Sequence, residues 1–165
     1  MLPNRLRIRS FVHLPLIVLL CATALFAQTT PKALPMTQAT GTFDVKVLPV
    51  EHAAAPGTAT YSINKTFHGD LEATSEGEMF SAGDYKQGNA GYVALERVTG
   101  TLGGRSGSFA LMHTGIMRSG EAPAMTVTIV PGSGTGELTG ITGTLTIIIT
   151  DGKHSYTLNY SLPTQ

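Results

Sequence analysis

Apolar and polar residues alternate with a period of two from Thr40 almost to the end of the chain, which is the pattern of half-buried β-strands. The alternation is clearest at residues 43–47, 61–67, 109–113, 125–129, 145–149 and 156–162. No stretch that is free of glycine and proline carries an apolar stripe at helical spacing. The pattern therefore predicts one all-β domain of about eight or nine strands.

Glycine-rich turns separate these stretches. The chain has 19 glycines, and most of them lie between the alternating runs. Asp151 followed by Gly152 is a strong hairpin signal, and Gly103 followed by Gly104 is typical of a tight turn. Many short strands joined by short turns indicate either a closed antiparallel β-barrel or a β-sandwich.

The N-terminus has the three parts of a secretory signal peptide. Arginines at positions 5, 7 and 9 precede the uncharged residues 11–26, and small residues end that run. We predict cleavage after Ala27, with Ala24 as the alternative. An uncleaved membrane anchor is disfavoured, because the run contains Pro15 and is shorter than the roughly 20 residues that span a bilayer. The protein is therefore expected to be exported, to the periplasm or to the extracellular space.

Cleavage would divide the chain into a signal peptide (1–27), a flexible lead-in (28–38) and the β-barrel domain (39–163). The whole chain has 11 basic and 11 acidic side chains, and the signal holds three of the basic ones, so the mature chain has 8 against 11 and a net charge of −3. The only cysteine, Cys21, is also removed, which excludes a disulfide. This mild, scattered acidity argues against nucleic-acid binding, and no membrane association is expected after cleavage.

Motifs of common enzymes and cofactor sites are missing from the sequence. The segment GSGTG at residues 132–136 resembles a nucleotide loop, but it leads into a strand and not into a helix whose amides could bind phosphate. Neither GxSxG nor HExxH occurs, and the histidines lack metal-ligand spacing. We therefore predict no metal and no cofactor, and the catalytic residues, if any, stay unknown.

Two polar residues interrupt the apolar faces of predicted strands. Lys65 lies on the same face as Ile63 and Phe67, and His113 lies on the face of Leu111. A buried polar group is costly unless it is paired with another group, a ligand or water. These side chains therefore either line an interior cavity or lie near strand ends, where a long side chain reaches solvent.

Residues 92–99 contribute a third polar group. Both faces of this stretch are about equally apolar, so either Glu96 or Arg97 points inward, depending on the register. The final strand adds the ring hydroxyls of Tyr156 or Tyr160 on its apolar face. The candidate ligand-binding residues, expected to line a cavity, are Lys65, Glu96, His113, Tyr156 and Tyr160.

Three segments of the chain resemble an uncharacterised bacterial family, domain-of-unknown-function family 3224. They are KTFHGDL at residues 65–71, LERVTGTLGGRSGSF at residues 95–109 and VPGSGTGEL at residues 130–138, and the closing YTLNY at residues 156–160 is also similar. The resemblance covers essentially the whole mature domain. It implies a single closed antiparallel barrel like that of allene oxide cyclase and the dirigent proteins, but it implies no activity.

Three functions are compatible with such a barrel. The first is an exported binding protein that holds a small apolar or amphipathic ligand in its interior. The second is a cyclase- or isomerase-type enzyme that uses the same cavity, with Glu96 or His113 as the base. The third is a structural or assembly module whose barrel is filled by side chains. A homo-oligomer is compatible with all three, although the sequence shows no exposed apolar strip that would fix an oligomeric state.

Overall fold

The structure is a computed structural model that describes residues 34–51 and 55–163. Its strands are β1 (Thr37–Val50), β2 (Thr58–Gly69), β3 (Leu71–Asp84), β4 (Asn89–Leu102), β5 (Arg105–Met117), β6 (Ala124–Ile129), β7 (Thr135–Gly136), β8 (Thr142–Thr150) and β9 (Lys153–Ser161). A single 3₁₀ turn, Tyr85–Gln87, joins β3 to β4. The predicted signal peptide lies outside the described residues, and so does the first half of the predicted lead-in.

Eight of these strands form a closed antiparallel barrel. Around the barrel, neighbouring strands pair in the order β4, β3, β2, β1, β9, β8, β6, β5, and the pairing of β5 with β4 closes the ring. The short β7 lies outside the ring and pairs with the beginning of β5. The predicted fold class is confirmed, and the closure makes the domain a barrel rather than a sandwich.

The turn between β8 and β9 is the predicted hairpin turn. Asp151 has φ +50° and Gly152 has φ +74°, so both residues of the turn adopt the left-handed conformation. A two-residue turn of this kind matches the twist of the two strands that it joins. The Asp-Gly pair suits it because aspartate tolerates the left-handed region and glycine adopts it freely.

One end of the barrel is filled by side chains, and we call it the closed end. It lies where β1 begins and β2 ends. The large side chains buried there include Phe67, Leu71, Leu102, Phe109, Tyr156 and Leu158. After β7, Leu138 and Ile141 fold back and are also fully buried against this core. The glycine-rich segment before them is thus part of the turn that covers the closed end.

The opposite end, where β1 ends and β2 begins, is the open end. Inward-facing residues are only partly buried there: Val47 on β1 is 44% exposed, and Tyr61 and Met79 are half-buried. The interior therefore changes along the barrel axis from a packed core to a solvent-accessible cup. The space for a candidate site therefore lies in the open half.

The outer surface carries apolar side chains that the sequence pattern did not reveal. On the outward faces of β3, β4 and β5, Phe80, Val93, Leu95, Met112 and Ile116 are each about half exposed. The expectation that the surface has no exposed apolar strip was therefore wrong, whereas the oligomeric state stays a prediction. Period-two alternation identifies an apolar inner face, but part of the outer face of these strands is apolar as well.

Candidate functional site

Glu96 lies in the interior of the barrel, on β4. Ala94 and Val98, two positions away on either side, are buried as well, whereas Arg97 is exposed. The register left open by the sequence is thus resolved, with Glu96 inward and Arg97 outward, where its guanidinium donates a hydrogen bond of 2.9 Å to Ser108 Oγ. A slip of one residue would bury a guanidinium among apolar side chains instead, at a high cost in free energy.

Three side chains, one each from β2, β3 and β5, donate hydrogen bonds to the Glu96 carboxylate. Lys65 Nζ on β2 lies 2.6 Å from Oε1, and His113 Nε2 on β5 lies 2.8 Å from the same oxygen. Ser75 Oγ on β3 donates to Oε2 at 2.7 Å. The strands β2, β3, β4 and β5 are consecutive around the barrel, and their register brings the four side chains to the same depth. We call Lys65, Ser75, Glu96 and His113 the Glu96 cluster.

The titratable members of this cluster do not reach solvent at strand ends. The side chains of Lys65, Glu96 and His113 are 6%, 0% and 5% exposed. Three of the five candidate residues thus share one interior and pair with one another. Pairing is what makes their burial tolerable, because an unpaired charge at this depth would cost several kcal/mol.

The electrostatics of the cluster fix the state of its carboxylate. Burial alone would raise the pKa of Glu96, but the hydrogen bond from His113, the charge of Lys65, the charge of a protonated His113 and the hydrogen bond from Lys65 together outweigh it and lower the pKa to about 2. Glu96 is therefore ionised near neutral pH and acts as a hydrogen-bond acceptor. Because the carboxylate accepts from Nε2, the ring hydrogen of a neutral His113 lies on Nε2, and Nδ1 carries a lone pair.

The Lys65 ammonium is held by two aromatic rings as well as by Glu96. Its Nζ atom lies 5.2 Å from the ring centroid of Phe43 and 5.8 Å from that of Phe67. The faces of aromatic rings attract a cation, and the attraction grows when water is excluded. The two rings thus stabilise the buried ammonium from the side of the closed end. They accept no conventional hydrogen bond from it, so the remaining N–H donors of Lys65 stay available.

A cup at the open end has a volume of about 640 Å³. Its walls come from the inward faces of β1 to β5 and are mostly apolar: they include Val47, Ala59, Tyr61, Met79, Ala90, Tyr92 and Met117. A smaller cavity of about 150 Å³, which we call the inner cavity, is lined by Lys65 and His113 and also by the partly exposed Val47 and Ile149. The two share Val47, Met79 and Tyr92 as lining residues, so the inner cavity borders the cup.

Two glycines make room for this arrangement. A Cβ atom on Gly77 of β3 would lie 2.2 Å from the carbonyl oxygen of Leu95 and 2.6 Å from Glu96 Cβ, so only glycine fits opposite the carboxylate. A Cβ atom on Gly115 of β5 would lie 2.1 Å from the ring of Tyr92, which crosses over this glycine. Burial, and then the charge of Glu96, raise the pKa of Tyr92, so its hydroxyl stays protonated near neutral pH.

The two candidate tyrosines lie in the closed half, apart from the Glu96 cluster. The hydroxyl of Tyr156 accepts a hydrogen bond of 2.9 Å from the backbone N–H of Leu71 and is 3.4 Å from the carbonyl oxygen of His68. Tyr160 lies four residues farther along β9, with its hydroxyl against Gly103. Both share the inward face, as expected, but a barrel strand extends over many residues, and the face alone does not give the depth.

Ser75 and Tyr92 belong to the site but were not among the candidates. Ser75 sits in a stretch whose glutamates dominate the pattern, and those glutamates lie on the outward face of β3. Tyr92 follows the pattern of an ordinary apolar residue. A signal for Ser75 existed in principle, because a small polar residue alternating with outward charges must face inward.

Within residues 34–51 and 55–163, no group of three or more histidine, cysteine, aspartate or glutamate side chains is placed to hold a metal ion. The same ranges contain no helix that is long and apolar enough to cross a membrane.

The Glu96 cluster brings together one carboxylate, one ammonium, one imidazole and one hydroxyl. These groups can orient a polar ligand and can exchange a proton through the imidazole.

Comparisons with known proteins agree with this description. A crystal structure of a protein of unknown function from Shewanella oneidensis MR-1 superposes with a TM-score of 0.72 at 46% sequence identity, covering 79% of this chain and all of that one. No curated protein matches the chain. The family model described as "Protein of unknown function (DUF3224)" matches residues 39–160, which include all eight barrel strands except the outermost residues of β1 and β9. The chain therefore belongs to the DUF3224 family.

Proposed function

We propose that this protein is an exported binding protein that takes one small amphipathic ligand into the open end of its barrel. The observation that carries the proposal is the cup, whose apolar wall leads inward to the buried Lys65, Glu96 and His113 side chains. Ligand pockets commonly combine an apolar lining with a few fixed polar groups that orient the ligand. Here the two kinds of surface follow one another along the barrel axis.

The dimensions of the interior support this function. Pockets for small molecules commonly measure roughly 300–1,000 Å³, and the cup, at about 640 Å³, lies within that range. The apolar tail of a ligand would lie against Val47, Tyr61 and Met79, while its polar end would reach the inner cavity. A barrel that served only as a structural module would have no use for such a cup.

Binding of the dye 8-anilinonaphthalene-1-sulfonate tests the proposal. The chain contains no tryptophan, so Ala90→Trp introduces a single indole into the wall of the cup, on the inward face of β4. We expect the wild-type protein to bind the dye with increased dye fluorescence, and Ala90→Trp to weaken binding roughly tenfold or more by filling the space.

The matched control places the same side chain on the outer surface. Thr74→Trp lies on the exposed outward face of β3, and we expect its dye affinity to stay within about twofold of wild type, a change well below 1 kcal/mol. Equal affinity of both variants and wild type would mean that the dye binds elsewhere, for instance on the exposed apolar face of β3–β5, and would refute the proposal. Native mass spectrometry of protein purified from the exporting host would then identify any natural ligand.

A further inference from the structure

We propose that the end of the ligand that reaches the inner cavity is a carboxyl group, held between Lys65 Nζ and His113 Nδ1 and bound together with one proton. This inference rests on the proposed function, because it specifies the chemistry of a ligand in the same cavity. It follows from three features of the Glu96 cluster: its unused hydrogen-bonding capacity, its charge, and the side of the cluster that faces the cavity.

The unused hydrogen-bonding capacity lies on the lysine and the histidine. The Glu96 carboxylate already accepts three hydrogen bonds, from Lys65, His113 and Ser75. The Lys65 ammonium has three N–H donors, and among the described residues only Glu96 accepts from it. His113 Nδ1 has no partner within the same part of the chain, and its residue lines the inner cavity.

Nδ1 is also accessible from the cavity. In the described ranges, the one fully buried side-chain nitrogen or oxygen without a hydrogen-bond partner is Thr60 Oγ1, on the outward face of β2. His113 Nδ1 is therefore unpartnered but not sealed into the core. An ammonium donor and an imidazole lone pair that face one cavity form a site for a group with both an acceptor and a donor, such as a carboxylic acid.

The charge of the cluster explains why a proton should accompany a carboxylate. The Glu96 carboxylate and the Lys65 ammonium compensate each other, and a neutral His113 leaves the cluster uncharged. A carboxylate entering alone would add an uncompensated negative charge to a poorly solvated interior, which is costly. If Nδ1 takes a proton from solvent, the imidazolium pairs with the incoming carboxylate, and the net charge stays at zero. No covalent bond forms or breaks apart from this protonation.

Other head groups fit less well. An amine would bring a second cation beside Lys65, and an alcohol would gain a hydrogen bond without charge assistance. The titratable and charged groups that face His113 or its cavity are Lys65 on β2, Glu96 and Tyr92 on β4 and His154 on β9. The ring of His154 contacts that of Phe43 in a tilted arrangement with centroids 5.0 Å apart, which makes it the second imidazole to test.

Isothermal titration calorimetry with three eight-carbon compounds tests the inference. At pH 8, octanoate, octylammonium and octanol differ in the head group only. We expect octanoate to bind at least roughly tenfold more tightly than either of the others. Titrations in buffers of different ionisation enthalpy should show uptake of about one proton per octanoate, as expected for an imidazole that becomes charged, and no uptake with octanol.

Two variants assign the proton to one histidine. His113→Gln keeps an N–H donor for Glu96 and removes the titratable Nδ1, so octanoate should bind more weakly and without proton uptake. His154→Gln removes the other imidazole and should leave both measurements unchanged. Retained dye binding shows that the His113→Gln barrel is folded with an intact cup.

Several results would overturn the inference. Octanol binding as tightly as octanoate, the absence of proton uptake in wild type, or uptake that persists in His113→Gln would each refute it. If the dye binds the cup and none of the three compounds does, the carboxyl inference fails while the proposed binding function stands. If the dye does not bind in the cup either, the proposed function itself fails.

Discussion

At the scale of single residues, Glu96 shows how neighbours determine the state of a buried group. Its carboxylate is removed from water, which by itself favours the neutral acid, yet Lys65 on β2 and His113 on β5 keep it ionised. The folded protein thus holds this carboxylate as an anion over a wider pH range than the unfolded chain does. The stability of the barrel must depend on pH as a consequence.

We predict that Glu96 contributes on the order of 3 kcal/mol to the free energy of unfolding through this shift. Because its folded-state pKa of about 2 lies below the ordinary value of 4.5, the contribution is fully present above about pH 4.5 and is lost as the pH falls toward 2. Urea unfolding at pH 6, 4, 3 and 2 measures this dependence for wild type and for Glu96→Gln.

Glu78→Gln is the control, because Glu78 is exposed on the outward face of β3. Its unfolding free energy should follow wild type at every pH to within about 0.5 kcal/mol. Glu96→Gln should start several kcal/mol lower, since it leaves the Lys65 ammonium buried without a counter-charge, and should lose less on acidification. An acid dependence equal to that of wild type would contradict the assignment.

The Glu96 cluster could be predicted from the sequence only in part. Lys65 and His113 stand out because each is polar on an otherwise apolar face, and Glu96 competes with Arg97 for one position. The pairing of β4 with β3 and β5 resolved that competition, and this pairing is not visible in a single strand. Tyr156 and Tyr160 share the inward face but lie at another depth, because depth depends on the stagger between strands.

At the scale of elements, β3 and β4 lie too close together at Gly77 to admit a side chain there. The pair of Gly77 with Glu96 brings a backbone without a side chain against the strand that carries the carboxylate. The pattern of a single strand does not explain why a glycine lies in the interior of β3. The reason is steric, and it becomes apparent only when the two strands are placed side by side.

We predict that Gly77→Ala lowers the unfolding free energy by about 1–3 kcal/mol, the usual cost of overpacking. The new methyl group would lie 2.2 Å from a backbone oxygen, so the strands must separate. Gly91→Ala is the matched control: it also lies in a strand, and its Cβ would meet the flexible end of Ile116 at 3.1 Å and the Gly115 carbonyl oxygen at an ordinary contact distance of 3.7 Å. Equal losses in both variants, measured by chemical denaturation, would show that the contact at Gly77 is not special.

At the scale of the whole molecule, the predicted export determines which interactions can stabilise the domain. The predicted signal peptide carries the only cysteine of the chain, so the mature domain would depend on core packing alone. The strand pattern and its turns predicted an all-β domain, because alternation and hairpin signals are local, and the family resemblance favoured the barrel over the sandwich. The half-filled interior was not predictable, because it depends on which side chains meet across the barrel.

We predict that protein recovered from the exporting host begins at Gln28. N-terminal sequencing and intact mass should show the loss of residues 1–27, and the melting temperature of the recovered protein should not change on addition of a reductant. A Leu20→Arg change, which interrupts the apolar run of the signal, should leave the protein uncleaved inside the cell. Recovery of full-length wild-type chain from the exported fraction would contradict the predicted cleavage.

The division of the barrel into a closed and an open end affects how freely its binding properties can change. Large-to-small substitutions in a packed core leave cavities that lower the free energy of unfolding. Substitutions of residues that line a solvent-accessible cup create no such buried cavity, so they change stability less. Val47, Ala59, Tyr61 and Ala90 can therefore vary in size and polarity while Phe67, Leu102 and Phe109 keep the domain folded. The same architecture can thus be adapted to new ligands, by natural divergence or by a combinatorial library at those four positions, at little cost in folding.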